Sequence, residues 1–252
     1  MKTGICKLCD QHKELCKSHI VPEFCYETLY NDKHKFIQLS TNPEARTIPR
    51  PKGLYDLLLC KDCEARVKVF EDYFKEFIND ESLPMEMKDG LFETQGVDSD
   101  KLKLFIISVI WRYHVSQFNT DFDLGPYEKT MKNMIWNSDP GPWHKFGFLW
   151  IQGVSLPDSF SKSILMPVNK KIESHRVVFM VLLGVFWVVY TSKHAREHWM
   201  AEHFCKNGTL KVVLDDKFSR EWFSELANDL NRQKKMDFSF EEKNGENSRR
   251  RT

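Results

Sequence analysis

Two cysteine pairs, Cys6-x2-Cys9 and Cys60-x2-Cys63, lie on either side of the segment Ser18-His19-Ile20-Val21-Pro22. A C-x2-C loop presents two thiolates from one tight turn, so two such loops brought together supply the four soft ligands of a tetrahedral zinc site. A redox dithiol of thioredoxin type requires a βαβ pattern, and none precedes either pair. The spacing therefore predicts a structural Zn2+ held by Cys6, Cys9, Cys60 and Cys63, and a folded unit over residues 1–80 that depends on it.

The elements that must position these ligands are legible around them. From Glu64 to Asn79, apolar Val67, Phe70, Phe74, Phe77 and Ile78 alternate with charged residues at helical spacing, which predicts a helix starting at the last ligand. Residues 81–100 carry scattered charges with Pro84, Gly90 and Gly96 and read as a linker. From Lys101 to Phe118 the chain is apolar nearly all round, the pattern of a central buried helix, in which Arg112 needs a partner and His114 fits the rim. Gly125-Pro126 opens a second helix to about Asn137, followed by a turn-rich break. Strands are expected at Phe146 to Val154, Ile164 to Val168, Val177 to Leu183, Val185 to Thr191 and Thr209 to Leu214. An amphipathic helix carrying Phe218, Trp222, Leu226 and Leu230 closes the unit 101–233. Residues 234–252 are polar and expected to be disordered; the arginines of Ser248-Arg-Arg-Arg-Thr252 fit a solvated tail.

Composition bounds the setting. The 252 residues carry a net charge of +1, and residues 1–80 hold thirteen Lys/Arg against thirteen Asp/Glu, without the overt basic excess of a protein that coats nucleic acid. Seven cysteines, an odd number, and the lack of an apolar N-terminal stretch argue against a disulfide framework and for a reducing cytoplasm; Cys16, Cys25 and Cys205 read as inert thiols. The apolar run Val177 to Tyr190 is too short to span a bilayer, which takes about 20 residues as a helix, and with Gly184 at its middle it reads as buried strand rather than membrane span.

Aligned on the two knuckles and the His19 segment, roughly the first 75 residues resemble the HNH nuclease superfamily, whose zinc-bearing members show C-x2-C, an Asp-His-Ile-x-Pro strand and a Leu-Cys-x2-Cys-His end. A closer similarity is to uncharacterised bacterial proteins with the variant elements seen here as Ser18-His19-Ile20-Val21-Pro22, Gly53-Leu54-Tyr55-Asp56, Cys63-Glu64 and Glu71-Asp72-Tyr73, extending to Ser108-Val-Ile-Trp111-Arg112. Together with the elements read above, this gives an α+β chain: an N-terminal treble-clef zinc domain of HNH type, then a buried helix pair and a C-terminal antiparallel sheet with a terminal helix. The resemblance further implies that His19 matches the family's general base, that the protein engages nucleic acid (DNA rather than RNA), and that it is a metal-dependent endonuclease using Mg2+ or Mn2+, with bacterial defence as the analogous setting.

The departures matter for that chemistry. Ser18, a weak ligand, stands where the family has a cation-binding aspartate; Tyr55 or Asp56 stands where it has asparagine; Glu64 replaces the last histidine. Asp56 and Glu64 are then the candidate replacement ligands for Mg2+, since carboxylates suit a hard cation. Other roles stay open: His19 as a buttress of the zinc loops, Asp56 as a turn-type hydrogen-bond acceptor, Glu64 as a helix N-terminal carboxylate. The alternative function is a catalytically inactive, zinc-stabilised adaptor for a protein partner. A second motif, His194-Ala-Arg-Glu197-His198, fits the inverted zincin pattern, but in a chain with nine histidines it reads as a chance match. No glycine-rich phosphate loop, G-x-S-x-G elbow or kinase signature occurs.

Overall fold

The computed structural model describes residues 2–39, 44, 46–80, 86–88, 91–153 and 163–232. The expected tail, residues 234–252, lies outside them.

The chain begins with a hairpin. Strands β1 (Thr3–Ile5) and β2 (His12–His19) pair antiparallel in the register Thr3 to Glu14 and Ile5 to His12, so the first knuckle is the turn between them. The Cys6 amide donates to the Gln11 carbonyl at 2.9 Å, the Asp10 amide returns to the Cys6 carbonyl at 2.9 Å, and Asp10 takes a left-handed φ of 58°. A 3-10 helix (Glu23–Leu29) and a small two-stranded sheet of β3 (Phe36–Gln38) and β4 (Ile48–Arg50) follow. Strand β5 (Tyr55–Cys60) then pairs with the free side of β2, placing Ser18 opposite Asp56 and His19 opposite Tyr55, with an irregularity in register between Leu15 and Lys17. Helix α1 (Lys61–Asn79) starts where β5 stops, slightly earlier than its apolar pattern indicates. Its buried residues Cys63, Val67, Phe70 and Phe74 recur at spacings of one helical turn, so Cys63 lies on the same face as the core residues.

Helix α2 (Ser99–Val115) is capped by Asp98, whose carboxylate accepts from the Lys101 amide at 3.0 Å. Every residue from Leu102 to Arg112 is buried, as expected of a central helix, because α1, α3 (Glu128–Asn137) and the large sheet surround it. That sheet contains β6 (Glu86–Lys88), β7 (Leu91–Gln95), β8 (Phe148–Gln152), β9 (Leu165–Ile172), β10 (His175–Leu182), β11 (Val185–Tyr190) and β12 (Thr209–Leu214) in the order β6-β7-β12-β8-β11-β10-β9. All its pairings are antiparallel except β12 with β8. The stretch 81–100, read from sequence as linker, thus holds β7, an inner strand whose partner β12 lies more than a hundred residues downstream, a pairing no local window displays.

The apolar run Val177 to Tyr190 is the β10–β11 hairpin, turning at Leu183 and Gly184 with φ of 55° and 72°. Two positive φ values in succession belong to the turn type that matches strand twist. Side chains alternate between faces: Val178, Met180, Leu182, Trp187 and Val189 join the core shared with α1 and α2. Val177, Phe179, Val181, Phe186, Val188 and Tyr190 form a second core. Helix α4 (Asp216–Arg232) covers the latter with Phe218 and Trp222 against Phe179 and Phe186. The whole is a mixed α and β chain with a mostly antiparallel sheet. Among the described residues no helix is long and apolar enough to cross a membrane.

Candidate metal centre and the His19 site

The β1–β2 turn and the β5–α1 junction bring the four cysteines together. The ligand sulfurs of Cys6, Cys9, Cys60 and Cys63 all lie within 4.8 Å of one another, and the Cys9 and Cys60 sulfurs are 4.0 Å apart. Zinc–sulfur bonds of about 2.3 Å in a tetrahedron separate sulfurs by about 3.8 Å, so the four are spaced for one metal ion such as zinc, and every cysteine is free of disulfides. Two local features prepare the site. The Lys7 amide donates to the Leu58 carbonyl at 2.9 Å, docking the first knuckle on β5, and the Cys60 amide donates to the Cys6 sulfur at 3.3 Å.

Helix α1 starts between the second pair, so its N-terminal amides favour thiolate there. Burial pushes the Cys6 thiol up, but amide donors from Cys9, Cys60 and Leu8 outweigh it and bring it down to about 7. Burial and the neighbouring sulfurs push Cys63 well up. Four thiolates in so small a volume repel one another unless a divalent cation sits among them, which is the chemistry of the donor set.

His19 ends β2 outside this cluster. Its Nε2 lies 3.1 Å from Oε2 of Glu23, in the first turn of the 3-10 helix. The same Glu23 oxygen accepts from the Gly53 amide at 3.1 Å, and the other accepts from the Tyr30 hydroxyl. The carboxylate lies on the Nε2 side of the ring, and among the described residues no hydrogen bond is made to Nδ1. The His19 side chain is 34% exposed, enough for water to reach it. Tyr55 stands edge-on to the ring at 6.0 Å, with Lys17 Nζ 5.2 Å from the Tyr55 ring centroid.

The other two residues singled out for chemistry go elsewhere. Asp56, opposite Ser18, accepts from the Gln117 backbone amide at 2.9 Å through Oδ2 and from the Gln117 side chain at 3.0 Å through Oδ1. Glu64 lies in the first turn of α1, largely buried, with Oε1 lacking a hydrogen-bond partner. Burial raises its carboxyl above the ordinary value, while the Ser18 hydroxyl and Arg112 pull it back and Glu71 adds to the rise. Ser18 is itself spent on the Leu59 amide, accepting at 3.0 Å. Among the described residues the cysteine cluster alone gathers three or more ligating groups, so His19, Asp56 and Glu64 do not converge as a ligand set for a second cation.

Arg112 finds its partners beneath His19. The guanidinium, 1% exposed, lies 2.7 Å from Glu71 Oε1 and donates to the His19 carbonyl at 2.6 Å. Residues that spacing alone did not reveal are therefore Glu23, Tyr30, Gly53 and Gln117. The one sequence signal was Glu23 four positions after His19, and the intervening Pro22 removes the helical geometry that would give this spacing meaning.

The inverted zincin motif does not assemble. Ala195–Glu197 is a single 3-10 turn; His194 is exposed beside Glu197 at 3.5 Å, whereas His198 is buried with Nδ1 accepting from the Met200 amide at 3.2 Å and facing the Tyr190 hydroxyl. No family model, curated protein or solved structure matches the chain.

Proposed function

We propose that the N-terminal unit is a zinc-stabilised treble clef of HNH type that engages nucleic acid, DNA rather than RNA, and cleaves its backbone with His19 as general base. The observation that carries this reading is the His19–Glu23 pair at 3.1 Å, with the carboxylate anchored from behind by Tyr30 and Gly53. A base needs one ring nitrogen tethered and the other open to water, and such a pairing supplies the tether. His19 takes a proton from water through Nδ1, Glu23 stabilises the imidazolium that results, the water oxygen attacks phosphorus, and the bond from phosphorus to one ester oxygen breaks, the leaving sugar oxygen taking its proton from solvent water. Mg2+ or Mn2+ would supply positive charge for the phosphate oxygens, but His19, Asp56 and Glu64 do not gather to hold such an ion.

The layout of one cysteine pair in a hairpin turn and the other at a strand–helix junction supports the treble-clef description. Basic groups after the His19 strand support an anionic partner. From Lys33 to Lys52 there are five Lys/Arg against one acid, Glu44; Lys33, Lys35, Arg46 and Lys52 are exposed, and Lys17 Nζ lies over the exposed ring of Tyr55.

A second reading, a catalytically inactive adaptor for a protein partner, is favoured by one observation: Asp56 has both oxygens committed to Gln117. The two readings part in one experiment. Purified protein is incubated with plasmid and single-stranded DNA and with RNA, each with Mg2+ or Mn2+, beside His19→Ala. Cutting by the wild type that His19→Ala abolishes at unchanged zinc content supports hydrolysis; identical behaviour of the two proteins on every substrate leaves the adaptor.

A further inference from the structure

The base is held at both ends, and the second hold comes from the other side of the molecule. Glu23 fixes the ring of His19; its peptide is fixed by Arg112 of α2, 93 positions away, donating to the His19 carbonyl at 2.6 Å. We infer that Arg112, braced by Glu71, is a positioning residue that sets the orientation of His19 from within the core, resting on the reading of His19 as the reactive base.

Three features support this role over mere neutralisation of a buried charge. Ion pairing with Glu71 at 2.7 Å already satisfies the guanidinium's charge, yet the same Nη1 is shared with a main-chain oxygen of the one residue that carries the imidazole. Two further donors go to α2 itself, Nε to the Ser108 carbonyl at 3.2 Å and Nη2 to the Ser108 hydroxyl at 3.4 Å, so the planar group is held from more than one side. Its position under His19 is also where β2 ends, because the His19–Tyr55 pair is the last in the register. Beyond it, the His19 carbonyl depends on Arg112 for its partner. A rigid fork from the most buried helix thus aims the last peptide of a strand, and the strand's last side chain follows. Lysine cannot replace it: one ammonium does not span the His19 carbonyl, Glu71 and Ser108 together.

The test compares Arg112→Lys, Glu71→Gln and wild type, with His19→Gln used to assign the His19 signals in nitrogen-15 and proton NMR of histidine-labelled full-length protein. Arg112→Lys is expected to keep its zinc content and far-ultraviolet circular dichroism while the His19 ring resonances and titration midpoint move, and while other histidines such as His144 stay put. Glu71→Gln, which keeps the side chain's shape and removes the charge beside Arg112, is expected to move them in the same sense by less, and serves if Arg112→Lys does not fold. Where cleavage is measurable, kcat of Arg112→Lys falls about 10- to 100-fold with KM little changed, the pattern of a misplaced group rather than lost binding. His19 signals unchanged in whichever variants fold overturn the inference. A wild type that never cleaves ends the hydrolytic reading alone, since the NMR comparison stands without activity.

Discussion

Asp56 of β5 and Gln117, 61 positions apart, join through two hydrogen bonds, the carboxylate taking the Gln117 amide at 2.9 Å and its side-chain nitrogen at 3.0 Å. The pair fastens the segment after α2 to the β2–β5 edge beside His19. Asp56→Ala should cost about 1–3 kcal/mol of stability, since it strands a backbone amide. Gln117→Ala on the Asp56→Ala background should cost less than on wild type, and urea unfolding of the four proteins measures this coupling. Additive losses would sink the link.

Removal of the metal should be felt first in residues 1–80. Replacing Cys6, Cys9, Cys60 or Cys63 by serine, or chelating the ion, forfeits apparent binding energy on the order of 10–16 kcal/mol that is also folding energy. Elemental analysis is expected to find one zinc per chain, and hydrogen exchange after chelation should show β1, β2 and β5 losing protection. Protection retained in the metal-free protein contradicts this.

Gly53 has no room for a side chain. A Cβ there would lie 2.6 Å from Tyr26 and 2.8 Å from Glu23 Oε2. Gly53→Ala should therefore destabilise by about 1–3 kcal/mol through overpacking and push Glu23 off the His19 ring. The check is a lowered melting temperature together with a shifted His19 NMR signal; a shift in neither would show that the crowding is relieved elsewhere.

Phe74 of α1 stacks on Phe105 of α2, centroids 4.0 Å apart, and meets Trp187 of β11 edge-on at 5.9 Å. One ring therefore ties the N-terminal helix α1, the central helix and the sheet. Phe74→Ala should cost about 3–5 kcal/mol. Because the core is shared, a single cooperative transition at lower denaturant is expected, read by tryptophan fluorescence and circular dichroism together; separate transitions would contradict the shared core.

Lys103 is buried on α2, its ammonium donating to the Pro142 carbonyl at 2.8 Å. Burial, with a smaller push from Lys145, lowers it from the usual 10.5 to about 8, against Asp100 and Asp139. Between these values the unfolded chain holds a proton that the folded chain has released, so stability rises with pH across the window and is lowest, on this account, below about pH 8. The full swing is on the order of 3 kcal/mol. Urea unfolding at several pH values should show Lys103→Met losing that slope relative to wild type; parallel pH profiles contradict it.

What the residue order determined unaided was everything carried by short covalent spacing. Two C-x2-C turns must each present a pair of sulfurs, and the sulfur cluster followed. Val67, Phe70 and Phe74 at helical intervals placed the buried face of α1, and the short apolar run from Val177 to Tyr190, broken at Gly184, placed buried strand there. The tertiary fold decided the rest. Whether Asp56 meets a cation or Gln117, what anchors the Glu23 carboxylate behind the His19 ring, and what the buried Arg112 grips depend on closures over 61, 30 and 93 residues. Strand β7 escaped notice for the same reason, its partner lying in β12. A polar side chain's role is set by the donor or acceptor that packing delivers to it, and periodicity within one element carries no information about a group arriving from another.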